Sequence, residues 1–369
     1  MAKEPKEVKG SLLDRIKAAS TIKETTTLDK TKIFREQNIV PLPIPMMNVA
    51  FSGELDGGLV SGLTQICGPS KHFKTGFLLL MIKAYLDQYQ DAIVLFYINE
   101  FGTAGTKYFD AYDIPHDRVV ITPFLDIEQL KFDITTQLHS FQRGDHVFIA
   151  VDSVGNAASK KEVDDALEGN QAADMTRAKQ IKSLFRIATP HLTLKDIPMV
   201  VINHVYKTQE MYSKDVVSGG TGIYLSSDNI FIIGRQQETE GIGSSKELKG
   251  YNFILKTEKS RYVKEQSKIP IFVSFEGGIS KWSGLLENAL ESGHVIKPSN
   301  GWYQRVGEER KYREDDTNSE QFWIPILKDQ MFKNFIRNKY KLSETKLLGD
   351  SNEKPIEDVP EDVMQDGIS

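Results

Sequence analysis

Short apolar runs alternate with longer stretches of helical spacing along most of this chain. Runs at 65–67, 93–98, 119–122, 146–151, 198–203, 229–233, 251–257 and 271–275 are read as strands. Several, such as V-F-I-A-V at 147–151, carry no polar residue, the pattern of a strand buried on both faces. Stretches at 76–88, 127–141 and 174–188 are read as helices between them. Such β/α alternation, closing in strands with no helix between, predicts an α/β fold: a mostly parallel twisted sheet with an antiparallel extension. Ahead of it, Leu12 and Ile16 share one face of a short amphipathic helix at 11–20, followed by a polar, threonine-rich linker at 21–31. A helix tethered in this way packs either on its own core or on a neighbouring subunit. The pattern divides the chain into an N-terminal helix and linker (1–40), a core (41–280), a small C-terminal subdomain (281–342) and a tail (343–369).

The tail changes the meaning of the overall charge. The 369-residue chain carries a formal −5, which by itself argues against a nucleic-acid partner. From 344 to 369, however, eight acidic residues face only Lys346 and Lys354, so this segment holds −6 and the remainder +1. A near-neutral body has room for a basic groove. A tail with Pro355, Pro360 and little apolar content is expected to be disordered, competing with DNA for that groove or recruiting basic partners. Cys67 is the only cysteine, which excludes an internal disulfide and a multi-cysteine metal site. No apolar run approaches the ~20 residues of a membrane span, and residues 1–10 lack a signal-peptide core. The expectation is a protein of the reducing cytoplasm with no membrane partner.

Chemistry enters at residues 67–76, C-G-P-S-K-H-F-K-T-G, between an apolar strand and an apolar helix. In that context Gly68, Pro69, Ser70, Lys71, His72, Phe73, Lys74, Thr75 and Gly76 read as a phosphate-binding loop. Its backbone N–H groups would wrap the β-phosphate of ATP at a helix N-terminus, where the helix dipole also favours anions. Lys74 would reach the β- and γ-phosphates and the Thr75 hydroxyl would hold Mg²⁺. The pattern G-x-x-x-x-G-K-[ST] is broken at one position, because Phe73 stands where a second glycine tolerates a demanding backbone conformation. Judged alone, the loop competes with a chance Gly–Lys–Thr spacing in a turn.

Two carboxylates favour the phosphate loop. Asp152 ends the strand H-V-F-I-A-V-D, and the C-terminal ends of strands are the ligand face of an open α/β sheet. It can hold Mg²⁺, cap the helix that follows, or do both. Glu100 ends another apolar strand, in F-Y-I-N-E-F-G, and beside the loop it could orient the water that attacks the γ-phosphate.

Five longer runs are more specific than the loop: I-P-M-M-N-V-A-F-S-G-E at 44–54, D-S-V-G-N-A-A-S-K-K-E at 152–162, D-M-T-R-A-K at 174–179, S-L-F-R-I at 183–187 and S-G-L-L-E-N-A-L-E at 283–291. With these the sequence resembles the RecA family, most closely the UvsX recombinases of tailed bacteriophages, over about residues 43–323. UvsX proteins also resemble this chain in lacking the second loop glycine. The resemblance implies a RecA-type P-loop core and a DNA-dependent ATPase that forms helical filaments on single-stranded DNA. Such a filament pairs with homologous double-stranded DNA and exchanges strands in recombination, repair and replication.

It further implies that Lys74 and Thr75 bind phosphate and Mg²⁺, that Glu100 is the catalytic glutamate, and that Asp152 is the metal-site aspartate. By the same resemblance Tyr108 stacks on adenine. His204 takes the place of a γ-phosphate sensor, with a side chain that adds pH sensitivity. In E-K-S-R-Y-V-K at 258–264, Lys259 and Arg261 resemble a basic pair that reaches a neighbouring subunit's ATP.

DNA is expected against two loops. One, at 155–173, holds Lys160 and Lys161. The other, at 205–222, holds Tyr206, Lys207, Met211, Tyr212, Lys214 and S-G-G-T-G. Arg177 lies beside the first on a helix face that would line the groove or merely solvate it. Cations here would grip phosphates, and Tyr206, Met211 or Tyr212 would wedge between bases. A single-strand-binding protein and a loading mediator are further partners implied by the resemblance, as is the cytoplasm of a bacterial host for a phage-encoded protein. The alternatives are a RecA-fold hexameric helicase, and a non-hydrolysing filament or scaffold protein in which Phe73 has disabled the loop.

Overall fold

In the computed structural model the described residues are 11–22, 24–31, 38–100, 105–169, 176–208, 215–240 and 246–343. The N-terminal helix α1 (Leu12–Ala19) begins in a capping box, the Ser11 hydroxyl accepting from the Asp14 N–H while the Asp14 carboxylate accepts from the Ser11 N–H. None of its residues is buried. Helix α2 (Pro45–Ser52) is its opposite, with Met46, Met47, Val49, Ala50 and Phe51 all in the core.

The α/β body then runs β1 (Gly62–Cys67), α3 (Lys74–Gln88), β2 (Ile93–Ile98), α4 (Thr106–Asp110), β3 (Val119–Pro123), α5 (Ile127–Ser140) and β4 (Val147–Asp152). It continues through α6 (Lys160–Glu168), α7 (Thr176–Lys195), β5 (Pro198–Asn203), the hairpin β6 (Val205–Lys207) and β7 (Asp215–Val217), and α8 (Gly220–Ser226). Long strands β8 (Asn229–Glu240), β9 (Glu247–Lys259) and β10 (Lys268–Ser274) follow, then a short β11 (Gly278–Ile279). Nine strands form one sheet in the order β11-β10-β9-β8-β1-β5-β4-β2-β3. Neighbours from β8 to β3 run parallel, and β8 to β11 are joined antiparallel, as the alternation predicted.

Alternate residues of each central strand feed two separate cores, because side chains of a strand point to opposite faces. Val94, Phe96, Phe148, Ala150, Val200 and Ile202 pack with α2 and α3 on one face. Leu95, Tyr97, Ile149, Val151, Met199 and Val201 pack with α5 and α7 on the other. Both faces are covered, so β2, β4 and β5 have almost no polar side chains except at their ends, and that is where the chemistry collects; β1 departs from this with Thr64 and Gln65 buried in its middle.

The C-terminal part comprises α9 (Leu285–Glu291), β12 (Val295–Ser299), β13 (Trp302–Arg305), β14 (Lys311–Arg313), α10 (Glu320–Lys328) and α11 (Gln330–Tyr340). Its Tyr303, Tyr312, Phe322, Trp323, Phe332 and Ile336 join the α2/α3 core. All eight strands and three helices read from the pattern are present, most of them longer than read. The stretch at 155–173 differs from its reading as an irregular loop, since Ser159 caps the N-terminus of α6 within it. The acidic tail lies outside the described residues.

Candidate nucleotide site

Register brings the strand ends into one place: Cys67 pairs with Asn203, and Ile98 with Asp152. The phosphate loop, Glu100, Asp152 and His204 therefore share one edge of the sheet. The Lys74 ammonium, buried at the start of α3, donates to the carbonyls of Gly68 (3.0 Å) and Pro69 (2.7 Å) and so closes the loop around itself. Burial pushes its pKa below the ordinary lysine range, against the pull of Asp152 and Glu100. Beside it the Thr75 hydroxyl donates to Asp152 Oδ2 at 2.8 Å. A hydroxyl and a carboxylate in contact, next to a loop of backbone N–H groups, suit a hard cation such as Mg²⁺. Burial raises the Asp152 carboxyl from 3.8 to about 6, with Glu100 adding to the shift and Thr75 and Lys74 opposing it.

Phe73 takes the left-handed backbone conformation expected of the missing glycine, φ 57°. Its ring leaves the loop entirely. It stacks on Phe253 of β9 with centroids 5.3 Å apart and meets Phe77 edge-on at 5.3 Å. The space for it comes from Gly76, where a Cβ would lie 2.5 Å from the ring. The loop has thus exchanged a permissive residue for an anchored one, and the glycine three residues later accommodates the anchor. Lys71 is also left-handed (φ 60°), and its carbonyl accepts from Arg235 of β8 at 3.4 Å.

Glu100 Oε1 is the centre of a second cluster. It accepts from Ser153 Oγ (2.7 Å) and Asn156 Nδ2 (2.6 Å), and His204 Nε2 lies 3.2 Å away. The Ser153 N–H is in turn held by Asn99 Oδ1 at 2.8 Å. Gly155 is required for this approach, since a Cβ there would meet His204 Cδ2 at 2.4 Å. Ser153, Asn156 and Asn99 escaped the sequence reading. Their signal was the position of D-S-V-G-N and I-N-E just beyond two buried strands.

Tyr108, on α4, is half exposed, and residues 101–104 before it lie outside the described residues. Lys160 and Lys161 are exposed at the start of α6, and Lys161 pairs with Asp165. Arg177 donates to the carbonyls of Val154, Gly155 and Ala157, tying α7 to the turn after β4. Tyr206 and Lys207 are exposed on β6, whereas Met211, Tyr212 and Lys214 lie outside the described residues.

Lys259 and Arg261 sit at the other edge of the sheet. Arg261 pairs with Asp228 at 2.6 Å, and Asp228 accepts from the Leu63 N–H at the start of β1. By register Lys259 lies beside Ile230, itself beside Gln65, and Arg261 reaches Asp228 beside Leu63, so roughly 10 to 17 Å of strand rise separates the two levels from the phosphate loop of their own chain.

Residues 282–336 match the family model described as the C-terminal domain of the bacteriophage T4 recombination and repair protein. The recombination and repair protein of Enterobacteria phage T4 itself is 47% identical over 352 residues, 93% of this chain and 88% of that protein. This chain belongs to that family, the UvsX family. Protein RecA of Borreliella burgdorferi (strain ZS7) is 23% identical over 167 residues, 45% of each chain, a more distant likeness over part of the length. Among the described residues, no helix is long and apolar enough to cross a membrane.

Removing the Phe73 ring should cost stability although glycine suits its backbone. Phe73→Gly is expected to lose about 1–2 kcal/mol, read as a lower urea midpoint, because lost packing outweighs the relieved φ. Asp152 should behave oppositely. A carboxyl whose folded pKa is raised makes no charge penalty below the unfolded value and its full penalty above about 6. In metal-free buffer at pH 7.5, Asp152→Asn is expected to melt a few degrees (~2–5 °C) above wild type, with the difference vanishing near pH 4.

Proposed function

We propose that this chain is an ATP-dependent DNA recombinase that works as a filament on single-stranded DNA. The observation carrying the reading is the single cluster of Lys74, Thr75, Asp152, Glu100 and His204 at one sheet edge, in a chain whose T4 relative is called a recombination and repair protein. Lys74 binds the β- and γ-phosphates. Thr75 and Asp152 hold Mg²⁺, which when bound neutralises phosphate charge. Glu100, fixed by Ser153 and Asn156, orients a water whose oxygen bonds to the γ-phosphorus as the bridge to the β-phosphate breaks. His204 reports the γ-phosphate through its contact with Glu100, and Tyr108 covers the adenine.

Lys259 and Arg261 serve a neighbour's site; in support, Lys259 is turned to the α8 carbonyls and Arg261 to Asp228, away from their own chain's phosphate loop. Two further features support self-assembly. Helix α1 exposes Leu12, Leu13 and Ile16, and β3 ends the main sheet with Val120 and Ile121 about half exposed. A sheet edge with apolar residues is a surface that a second copy can cover. DNA is held against α6 and the β6–β7 hairpin by Lys160, Lys161, Lys207 and Lys214, with Tyr206, Met211 and Tyr212 between bases, and Arg177 shapes the first of these loops. Pairing with duplex DNA tests homology by base pairing itself, so the protein needs backbone grip and stacking only. A single-strand-binding protein and a loading mediator are the partners expected to govern assembly.

The test is ATP hydrolysis with and without single-stranded DNA. Wild type is expected to be stimulated strongly, and Glu100→Gln to fall by ~10²-fold or more. Lys74→Ala and Lys259→Ala should each be inactive alone, yet a 1:1 mixture should recover activity, since roughly a quarter of randomly formed interfaces combine one intact half from each. No recovery on mixing would mean that the site is not shared, and no hydrolysis by wild type would favour a scaffold with a disabled loop.

A further inference from the structure

A chain of polar groups, buried at its centre, crosses the molecule through β1 and joins the two regions that the proposed function assigns to different ATP molecules. It starts at Lys259. The ammonium donates to the carbonyls of Tyr224 (2.9 Å) and Leu225 (3.1 Å), the last turn of α8, and lies 5.4 Å from the Tyr224 ring centre. At the C-cap of the same helix, the Ser227 hydroxyl donates to the Ile223 carbonyl at 2.8 Å and accepts from Gln65 Nε2 at 2.7 Å. Gln65 Oε1 then accepts from Asn203 Nδ2 at 3.0 Å. The same Asn203 amide donates to the Ser218 carbonyl, and Asn203 Oδ1 accepts from the backbone N–H of His204 at 2.9 Å. His204 closes the path on Glu100.

Gln65, Ser227 and Asn203 are fully buried. Gln65 occupies the middle of a six-residue strand in which every residue is buried, a position that the neighbouring strands fill with Val201 and Ile230. An apolar side chain would serve the fold as well there, since a buried amide gains little net stability and costs much if any partner is lost. The amide is useful because both of its ends are engaged by elements that do different work. One end holds α8, which follows the β6–β7 hairpin. The other holds the residue that positions His204 and, through Ser218, the base of that hairpin, where the Ser218 N–H also donates to the His204 carbonyl at 2.9 Å.

We infer that Lys259, Ser227, Gln65 and Asn203 form a relay that makes each ATP site sensitive to the state of the next subunit's, with Gln65 as its central positioning residue. The inference rests on the shared-site reading above. The two-state element is Lys259, which has two competing acceptors: the C-terminal carbonyls of α8 in its own chain, and a phosphate presented by a neighbour. When the phosphate takes the ammonium, α8 loses its cap, Ser227 is free to shift, and the Gln65–Asn203 pair passes the shift to His204 and the hairpin. When hydrolysis removes the phosphate, the cap re-forms. Coupling carried by one such exchange is typically 1–3 kcal/mol, or 5–150-fold in affinity, enough to make hydrolysis along a filament cooperative.

The experiment is the ATP dependence of hydrolysis on single-stranded DNA for wild type, Gln65→Met and Ser227→Ala, with melting temperatures measured alongside. Methionine keeps the volume of Gln65 and removes both hydrogen bonds, and Ser227→Ala deletes a single hydroxyl should Gln65→Met not fold. Wild type is expected to respond with a Hill coefficient clearly above 1, and the variants with one near 1. Their half-saturating ATP concentration should change by no more than the 5–150-fold range of such couplings, and hydrolysis at saturation should persist. Unchanged cooperativity in folded variants overturns the relay and leaves the shared site standing. A fall in maximal rate that tracks the melting temperature, with the Hill coefficient kept, would mark Gln65 as a core residue only and also overturn it. A wild type with no cooperativity, together with no recovery on mixing Lys74→Ala with Lys259→Ala, overturns the shared site itself.

Discussion

Burial of the parallel strands on both faces is the constraint from which the rest of this molecule follows. With α2 and α3 on one side and α5 and α7 on the other, β1, β2, β4 and β5 have no solvated face. Polar side chains are affordable only at the strand ends or in fully bonded pairs within. The register then decides which ends meet. Because Cys67 lies beside Asn203, and Ile98 beside Asp152, the 67–76 loop finds the Asp152 carboxylate and a glutamate at the same edge without a dedicated scaffold for any of them.

The phosphate loop shows how a local rule is broken and compensated. Glycine is favoured at its sixth position because the backbone there is left-handed. Phe73 accepts that conformation and offsets the strain with ring contacts to Phe253 and Phe77, and Gly76 supplies the room. Aromatic packing on β9 thereby ties the loop to the antiparallel extension, as does the bond from Arg235 of β8 to the Lys71 carbonyl. A loop anchored on two sides has less freedom to lose on binding a ligand than a glycine loop would, since its conformation is already determined.

Polarity inside the sheet serves the connection between its edges. The bonds from Ser227 to Gln65 to Asn203 leave no donor or acceptor of the Gln65 side chain unengaged, which is the condition under which a buried polar group is tolerated. It places the elements flanking the β6–β7 hairpin and the residue next to His204 in one bonded system, so neither can move without the other.

The sequence by itself determined the layered α/β class, the strand positions, the loop and the two carboxylates. All of these depend on short-range patterns: alternation along a strand, a turn after an apolar run, an acid at a strand end. Resemblance of longer runs extended that reading to Tyr108, His204, Lys259 and Arg261. Tertiary structure alone decided where Phe73 points, that Ser153 and Asn156 hold Glu100, that Arg177 secures three carbonyls, and that Gln65 meets both Ser227 and Asn203. These are contacts between residues 20 to 180 positions apart or between neighbours whose side-chain directions depend on packing. Strand order and register create them, and neither is written in any local stretch of the chain.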